Sequence, residues 1–288
     1  MRDGVRVLMP DTPDKAAGYD PDLFERLIEL EHGSFWFEAR NELIIWALER
    51  YFPHARTFLE IGCGTGFVLA GIKRARPGLE LTGTDPFLEG LALARSRLGH
   101  IEFEQLDATQ IPYDREFDVV GAFDVIEHIA DDKAALANLH RAVRPGGGAV
   151  ITVPQHQWLW GPWDVTARHV RRYRRRELIA KVRAAGFTVD SVTSFVSLLF
   201  PVMVAARLRR RHAGGDADHS ELRPARIVNG MLMRIMQVEA ALIRRRVRLP
   251  AGGSLLLVAR RSPAPRRSLA SPPARPSVSL PGLAVGDG

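Results

Sequence analysis

Between Thr57 and Val153 the chain alternates two textures. Short apolar runs closed by Gly, Pro or Asp are separated by longer stretches in which apolar residues recur every third or fourth position. The first is the size of a buried strand; the second is the spacing of one helix face. The pattern predicts strands over Thr57–Ile61, Leu79–Gly83, Ile101–Leu106, Phe117–Ala122 and Ala149–Val153. Helices are predicted near Phe67–Ala75, Leu88–Leu98 and Asp131–Val143. Strands joined through helices require right-handed crossovers onto a parallel sheet, so the expected class is α/β, doubly wound.

Upstream, Leu23, Leu27 and Leu30, then Leu43, Ile44, Ala47 and Leu48, predict two N-terminal helices. Residues 1–19 are polar and broken by Pro10 and Pro13, and read as a flexible leader. Downstream comes a polar, aromatic-rich excursion, Gln155–Tyr173, then a helix in Arg174–Ala185 stopped by Gly186. Phe187–Phe195 and Ser254–Arg260 read as a sixth and a seventh strand. Between them, residues 196–250 form an amphipathic helical insertion. The expected domain covers 20–260, and 261–288, rich in Pro, Ser and Arg, reads as a disordered tail.

Composition changes this picture in two ways. A chain that is 46% hydrophobic and 25% charged is too apolar for wholesale disorder, and the single cysteine, Cys63, excludes an internal disulfide. No charged start followed by an apolar run marks the N-terminus, so the expected location is cytoplasmic. The net charge of +7 would suggest nucleic acid, but it is concentrated late in the chain. Residues 207–248 hold eleven arginines against Asp216, Asp218, Glu221 and Glu239, and residues 260–288 hold five more against Asp287; the main body is mildly acidic apart from arginines at 168–176.

The candidate chemistry begins at Phe58-Leu-Glu-Ile-Gly-Cys-Gly-Thr-Gly66, three glycines at alternate positions between a strand and a helix. Glycine there allows a sharp turn and lets a ligand approach where a Cβ would collide; an ordinary glycine-rich turn is the alternative. Asp85 follows the second strand, where a carboxylate can accept both hydroxyls of a ribose. Asp107, followed by Ala108, ends the third, where a carboxylate can pair with an adenine amino group. Acidic residues at successive strand ends point to one nucleoside outside the carboxyl edge of the sheet. A nicotinamide site would share the ribose carboxylate, but Gly62, Gly64 and Gly66 depart from G-x-G-x-x-G.

With Phe117-Asp-Val-Val120 leading to Asp124-Val-Ile-Glu-His128, and Leu139-His-Arg-Ala-Val-Arg-Pro-Gly-Gly-Gly148, these motifs resemble those of class I S-adenosylmethionine-dependent methyltransferases. The nearer likeness is to the bacterial ubiquinone-type O-methyltransferase subgroup, through His32-Gly-Ser-Phe-Trp-Phe-Glu-Ala-Arg-Asn41. The resemblance implies a Rossmann-like seven-stranded sheet with an antiparallel last strand, and S-adenosyl-L-methionine as cofactor. It implies Arg40, Glu60, Gly62, Gly64, Gly66, Asp85, Asp107, Ala108 and Asp124 as cofactor contacts, with Arg40 facing the methionine carboxylate and Trp36 closing over the site. For Arg40 the alternative is a surface helix residue.

Methyl transfer needs an acceptor held in line, and a base only where the acceptor is a weak nucleophile such as a hydroxyl. His128 and His169 are the expected bases. Trp158-Leu-Trp-Gly-Pro-Trp-Asp-Val-Thr-Ala-Arg-His-Val-Arg-Arg-Tyr173 resembles a segment that covers the acceptor side in many bacterial members. That resemblance implies Asp164, His169, Arg172 and Tyr173 as groups that orient or deprotonate the acceptor, and Arg171 and Arg172 as holders of a phosphate or carboxylate. The alternatives are a helix-cap role for Glu127 and His128 and an ion-paired loop packing on the sheet edge for the Trp158–Tyr173 segment. Relatives with E-x-x-E-H bind a divalent cation; Asp124 here replaces the first Glu, so no metal is expected.

In the insertion, Phe195–Ala206 is apolar but interrupted by Pro201, too short to span a bilayer. Val228, Met231, Leu232, Ile235, Val238 and Leu242 form a stripe among arginines. Such a stripe suits an anionic membrane surface, with residues 196–248 as a peripheral contact on the inner face, or a homodimer or lid contact. Residues 207–250 contain no Phe, Tyr or Trp, which argues against nucleic acid as a partner. The expected function is methylation of a small or lipid-linked acceptor, at oxygen; the alternatives are a cofactor-binding scaffold without turnover and an RNA methyltransferase.

Overall fold

The computed structural model describes residues 5–8, 22–213 and 224–263. Much of the expected leader, all of the tail beyond Pro263 and part of the arginine-rich insertion lie outside the described residues. In chain order the elements are β1 (Arg6–Val7), α1 (Asp22–Glu31), α2 (Phe35–Tyr51), β2 (Thr57–Ile61), α3 (Phe67–Ala75), β3 (Glu80–Asp85), α4 (Leu88–Arg97) and β4 (Glu102–Gln105). They continue as β5 (Phe117–Phe123), α5 (Asp132–Ala142), β6 (Val143–Pro154), α6 (Pro162–Thr166), α7 (Arg175–Ala184), β7 (Thr188–Phe195), α8 (Phe200–Ala213), α9 (Arg226–Arg244) and β8 (Ser254–Arg260).

The strands form one sheet in the order β1-β4-β3-β2-β5-β6-β8-β7, with β8 antiparallel to both neighbours. The doubly wound α/β expectation and the antiparallel last strand hold. The sheet has eight strands rather than seven because Arg6–Val7 pairs in parallel with Glu104 and Gln105 at the β4 edge. Residues 6 and 7 are therefore paired strand rather than loose leader. The chain runs outward from β2 through β3 to β4, then returns to place β5 on the other side of β2. That reversal opens a crevice at the carboxyl ends of β2 and β5, the usual ligand position in such sheets.

Alternation along the strands builds two cores. Phe58, Val119, Val150 and Leu256 face one way, onto a layer drawn from α2, α3, α4 and α9. Leu59, Val120, Ile151 and Leu257 face the other way, onto α5 and α7. Both faces are covered, which is why these strands read as nearly continuous apolar runs.

The helix expected to reach Val143 ends at Ala142, because Val143 already pairs with Phe117 in β6. The Pro145–Gly148 segment expected as a turn runs within that strand. A side chain at Gly147 would strike the Asp118 carbonyl and one at Gly148 the Ala259 carbonyl, so glycine permits backbone contact on both sides.

The insertion is helical, and α9 lies on the domain. Met236, Ala240 and Ile243 are buried in the core shared with α2. Asn229 fastens the two helix starts, accepting from Phe35 N at 3.0 Å and donating to the Gly33 carbonyl at 2.7 Å. The buried carboxylate of Glu239 accepts from Ser197 N and Leu198 N at 2.6 and 2.7 Å, tying α9 to the segment that enters α8. No helix among the described residues is long and apolar enough to cross a membrane.

Candidate active site

At the carboxyl ends of β2, β3 and β5 lies a cavity of about 850 Å³, large enough for a drug-sized ligand with room to spare. Its floor is the turn after β2. Gly62, Gly64 and Gly66 all take positive φ, at 68°, 52° and 75°, a region side chains avoid. A Cβ on Gly62 would also lie 2.5 Å from a Val125 methyl. Gly62→Ala is expected to cost about 1–2 kcal/mol for the left-handed backbone and about 1–3 kcal/mol for the displaced valine. Urea denaturation measures this, and an unchanged midpoint would contradict the packing. Gly62 and Gly64 line the cavity, whereas Gly66 does not: it starts α3 and packs 3.1 Å, by its ideal Cβ, from Ala94 of α4. The expected cofactor contact at Gly66 is thus a helix-packing position.

Asp85 is buried at the end of β3 and closes the glycine turn from the side. Its two oxygens accept from Gly64 N at 2.9 Å and Phe87 N at 3.0 Å. Burial pushes its carboxyl up to about 6, against the pull of those two backbone donors. Asp107 caps the short 3-10 turn Ala108–Gln110 by accepting from Thr109 N at 2.7 Å, and it lines the cavity together with Ala108. The two carboxylates expected to rim a nucleoside therefore face one space.

Glu60 and Arg40 stand at the opposite end of that floor. Glu60 is buried, and burial raises its carboxyl well above the ordinary value although Arg40 opposes the shift. Arg40 hydrogen-bonds to Asp124 and stacks 4.6 Å over the Trp36 ring. Asp124 adopts φ 57° directly after β5, a strained turn that aims its carboxylate at Arg40 and at Thr152 Oγ1, 2.9 Å away. Arg40 is thus a buried site residue, not a surface one. Glu60 Oε2 and Arg40 Nε are buried without a hydrogen-bond partner, although both residues line the cavity. One acceptor and one donor left open in this way match the α-amino and α-carboxylate groups of a methionine moiety. The residues present fit S-adenosylmethionine: Asp85 and Asp107 for the nucleoside, Glu60 and Arg40 for the amino acid.

The far wall carries the expected acceptor chemistry. His169 Nδ1 meets Asp164 Oδ1 at 2.8 Å, and Asp164 also accepts from Arg172 Nε at 2.7 Å and Gly161 N at 2.8 Å. Burial would raise the Asp164 carboxyl, but His169, Arg172 and Gly161 together hold it below the usual range. An ionised carboxylate only accepts, so Nδ1 carries the imidazole proton and Nε2 presents its lone pair. Nε2 lies 4.0 Å from Glu127 Oε1, and the His128 ring meets His169 edge-on at 4.7 Å.

His128 and His169 line the cavity, but Asp164 is fully buried and does not. Expected as a catalytic residue, Asp164 lies behind His169, which it touches, and does not face the cavity itself. Burial and the neighbouring His169 lower His128 to about 4. Tyr173, another expected acceptor contact, is fully buried with its hydroxyl donating to Asp132 at 2.6 Å, and Arg171 is paired to the same carboxylate.

Other features of the site depart from the sequence reading or lie outside it. Glu127 caps no helix: it is fully buried and both its carboxylate oxygens lack partners, while burial raises its pKa well above the ordinary value. Glu127, His128 and His169 bring three donor atoms within 4.8 Å, a set of one carboxylate and two imidazoles that can ligate a divalent cation. Asp124, turned toward Arg40, is not among them. Glu31 of α1 lines the cavity and is buried between Thr65 and Arg97, the latter at 3.0 Å. Arg207 of α8 lines the outer wall and packs against Gly161. Glu127 and His128 are adjacent in the chain; the other neighbours are distant in sequence, and only the fold brings them together.

The comparisons with known proteins agree with this geometry. Residues 35–192 match the family model described as a methyltransferase domain, more than half of the chain, and the chain belongs to that family. A Mycolicibacterium smegmatis protein named "Probable S-adenosylmethionine-dependent methyltransferase" is 27% identical over 64% of this chain and 70% of its own length. The ubiquinone biosynthesis O-methyltransferase of Pseudomonas paraeruginosa is 32% identical, over 37% of this chain and 48% of its own. The chain thus spans about half the length of that quinone-pathway relative. Among solved structures, the Haemonchus contortus phosphoethanolamine N-methyltransferase 2 in complex with S-adenosyl-L-methionine superposes with a TM-score of 0.56 at 19% identity, over 86% of this chain and 58% of that one. The [4+2]-cyclase SpnF superposes at 0.52 with 21% identity, covering 77% and 82%. Those last two likenesses establish the fold alone. The protein is a class I S-adenosylmethionine-dependent methyltransferase.

Proposed function

We propose that this methyltransferase alkylates a hydroxyl of a small or lipid-linked acceptor held between the cofactor seat and His169. The observation that carries the reading is the Asp164–His169 pair, which presents an imidazole lone pair to the same cavity that Glu60, Asp85 and Asp107 line. S-adenosylmethionine supplies the methyl as an electrophilic carbon on sulfonium. His169 Nε2 would take the proton that the acceptor hydroxyl gives up on receiving that methyl. Asp164 fixes the imidazole tautomer and favours the charged form that results. Positioning by the cavity walls contributes up to about 7–11 kcal/mol in reactions of this kind.

Apolar walls from Phe35, Trp36, Leu199 and Met203 favour an acceptor with a hydrocarbon or ring body. The O-methyltransferase names among the relatives support oxygen as the methylated atom. A second reading rests on the three donors of Glu127, His128 and His169, which could hold a cation that binds the acceptor oxygens.

The test is transfer of tritium from methyl-labelled S-adenosylmethionine into fractionated cell extracts. The reading predicts a labelled product that enters organic solvent and resists mild nitrogen-dealkylating conditions. Cofactor binding with no labelled product in any fraction would favour a scaffold instead.

A further inference from the structure

The helix α9 is amphipathic twice over. Met236, Glu239, Ala240 and Ile243 face the domain and are buried. Ile227, Met231, Arg234, Val238, Ala241 and Arg245 recur at three- or four-residue steps on the opposite side, and all are exposed. Ile227 is 81% exposed, Met231 63% and Val238 56%. From Ile227 to Val238 the apolar stripe runs roughly 16 Å along the helix. Val228 and Ile235 carry it round the flank to Leu232, which lines the cavity.

The start of α8 also carries exposed apolar residues. Val202 lines the cavity and is yet 64% exposed, so it stands at the mouth. Beside it are exposed Leu198 and Trp158, the latter with its ring 5.9 Å from Phe200. Soluble chains seldom leave connected apolar residues of this extent in water.

The charges select the occupant. The exposed charged side chains of α9 and its C-cap are all arginines: Arg226, Arg234 and Arg245, with Arg244 paired to Glu42 of α2 at 3.5 Å. Arg234 lies within the apolar stripe itself. A second copy of the chain laid on this face would set arginine against arginine. An anionic bilayer instead accepts the apolar residues below its headgroups while the guanidinium groups reach the phosphates.

We infer that the outer face of α9 and the exposed start of α8 dock on an anionic lipid surface, with the cavity mouth between them turned toward the bilayer. This deepens the lipid-linked form of the proposed function and rests on it for the acceptor, but the docking is measurable without turnover.

Flotation of the full chain with vesicles of phosphatidylcholine alone, or phosphatidylcholine with phosphatidylglycerol, tests the inference. The protein is expected to float with the anionic vesicles only, and to be released as salt rises. The triple variant Ile227→Glu, Met231→Glu, Val238→Glu is expected to lose flotation at least about tenfold while its calorimetric affinity for S-adenosylmethionine is unchanged, which shows that it folds. The inference is overturned if the wild-type chain stays in solution with both vesicles. It is equally overturned if sedimentation shows a dimer that the triple variant abolishes. Labelled product without flotation would remove only the docking; flotation without labelled product would remove only the methyl transfer.

Discussion

Replacing His169 with asparagine is expected to lower kcat by about 10²- to 10⁴-fold, the usual worth of a positioned general base, while the affinity for S-adenosylmethionine stays where it was. The split follows from the geometry. His169 lines the cavity, and its hydrogen bond is with buried Asp164 rather than with Glu60, Asp85 or Asp107 of the cofactor seat. Asp164→Asn should act through the same imidazole. An amide in place of the carboxylate can offer its NH2 to Nδ1 and reverse the tautomer, so kcat should fall with little change in cofactor binding.

Chelation separates the base from the cation reading. Dialysis against EDTA leaves turnover unchanged if His169 takes the proton. Loss of activity restored by a divalent salt would assign Glu127, His128 and His169 to a metal.

Asp85→Asn is expected to weaken S-adenosylmethionine binding by about 10- to 150-fold, corresponding to about 1.5–3 kcal/mol for hydrogen bonds made to a charged group. The same carboxyl should make binding pH-dependent. With its pKa near 6 in the empty protein, Asp85 is protonated below that pH and loses its full capacity to accept ribose hydroxyls. Affinity should fall as pH drops through 6, and Asp85→Asn should flatten the profile.

The stability of the cofactor-free protein moves the other way. The folded pKa lies above the ordinary carboxylate value near 3.9, so the folded state binds the extra proton between about pH 4 and 6. The contribution of this group to stability is present below that window and lost as pH rises through it. Calorimetric titrations at several pH values, beside urea curves of the free protein, read both effects.

The strands nearest the cofactor were legible because two signals coincide there. Thr57–Ile61 is an apolar run bounded by Arg56 and Gly62, and Phe67–Ala75 follows the glycines with helical spacing; the structure places both elements at those bounds. Strand β1 carried no such signal, since two residues show no period and only the open edge of β4 makes them a strand. Asp85, Asp107 and the first two glycines were readable because each ends a strand or starts a turn. The Glu31–Thr65–Arg97 network and the meeting of Glu127 with His169 were not, since they join segments that only the crossovers bring together.

Asp164 and Tyr173 show a different limit. Their motif marked them as functional, yet spacing alone could not say which side chains face the cavity and which face inward to hold their neighbours. The stripe on α9 was likewise visible as one apolar set, whereas the structure divides it into an inner face against α2 and an outer one in solvent.

The account depends on one cavity seating an adenosyl sulfonium between Asp85 and Glu60, and calorimetric titration of the full chain with S-adenosylmethionine tests this most directly. One site per chain is predicted, with affinity reduced in both Asp85→Asn and Glu60→Gln and retained in His169→Asn. Absence of binding heat across temperatures, or equal affinity in all four proteins, would contradict it.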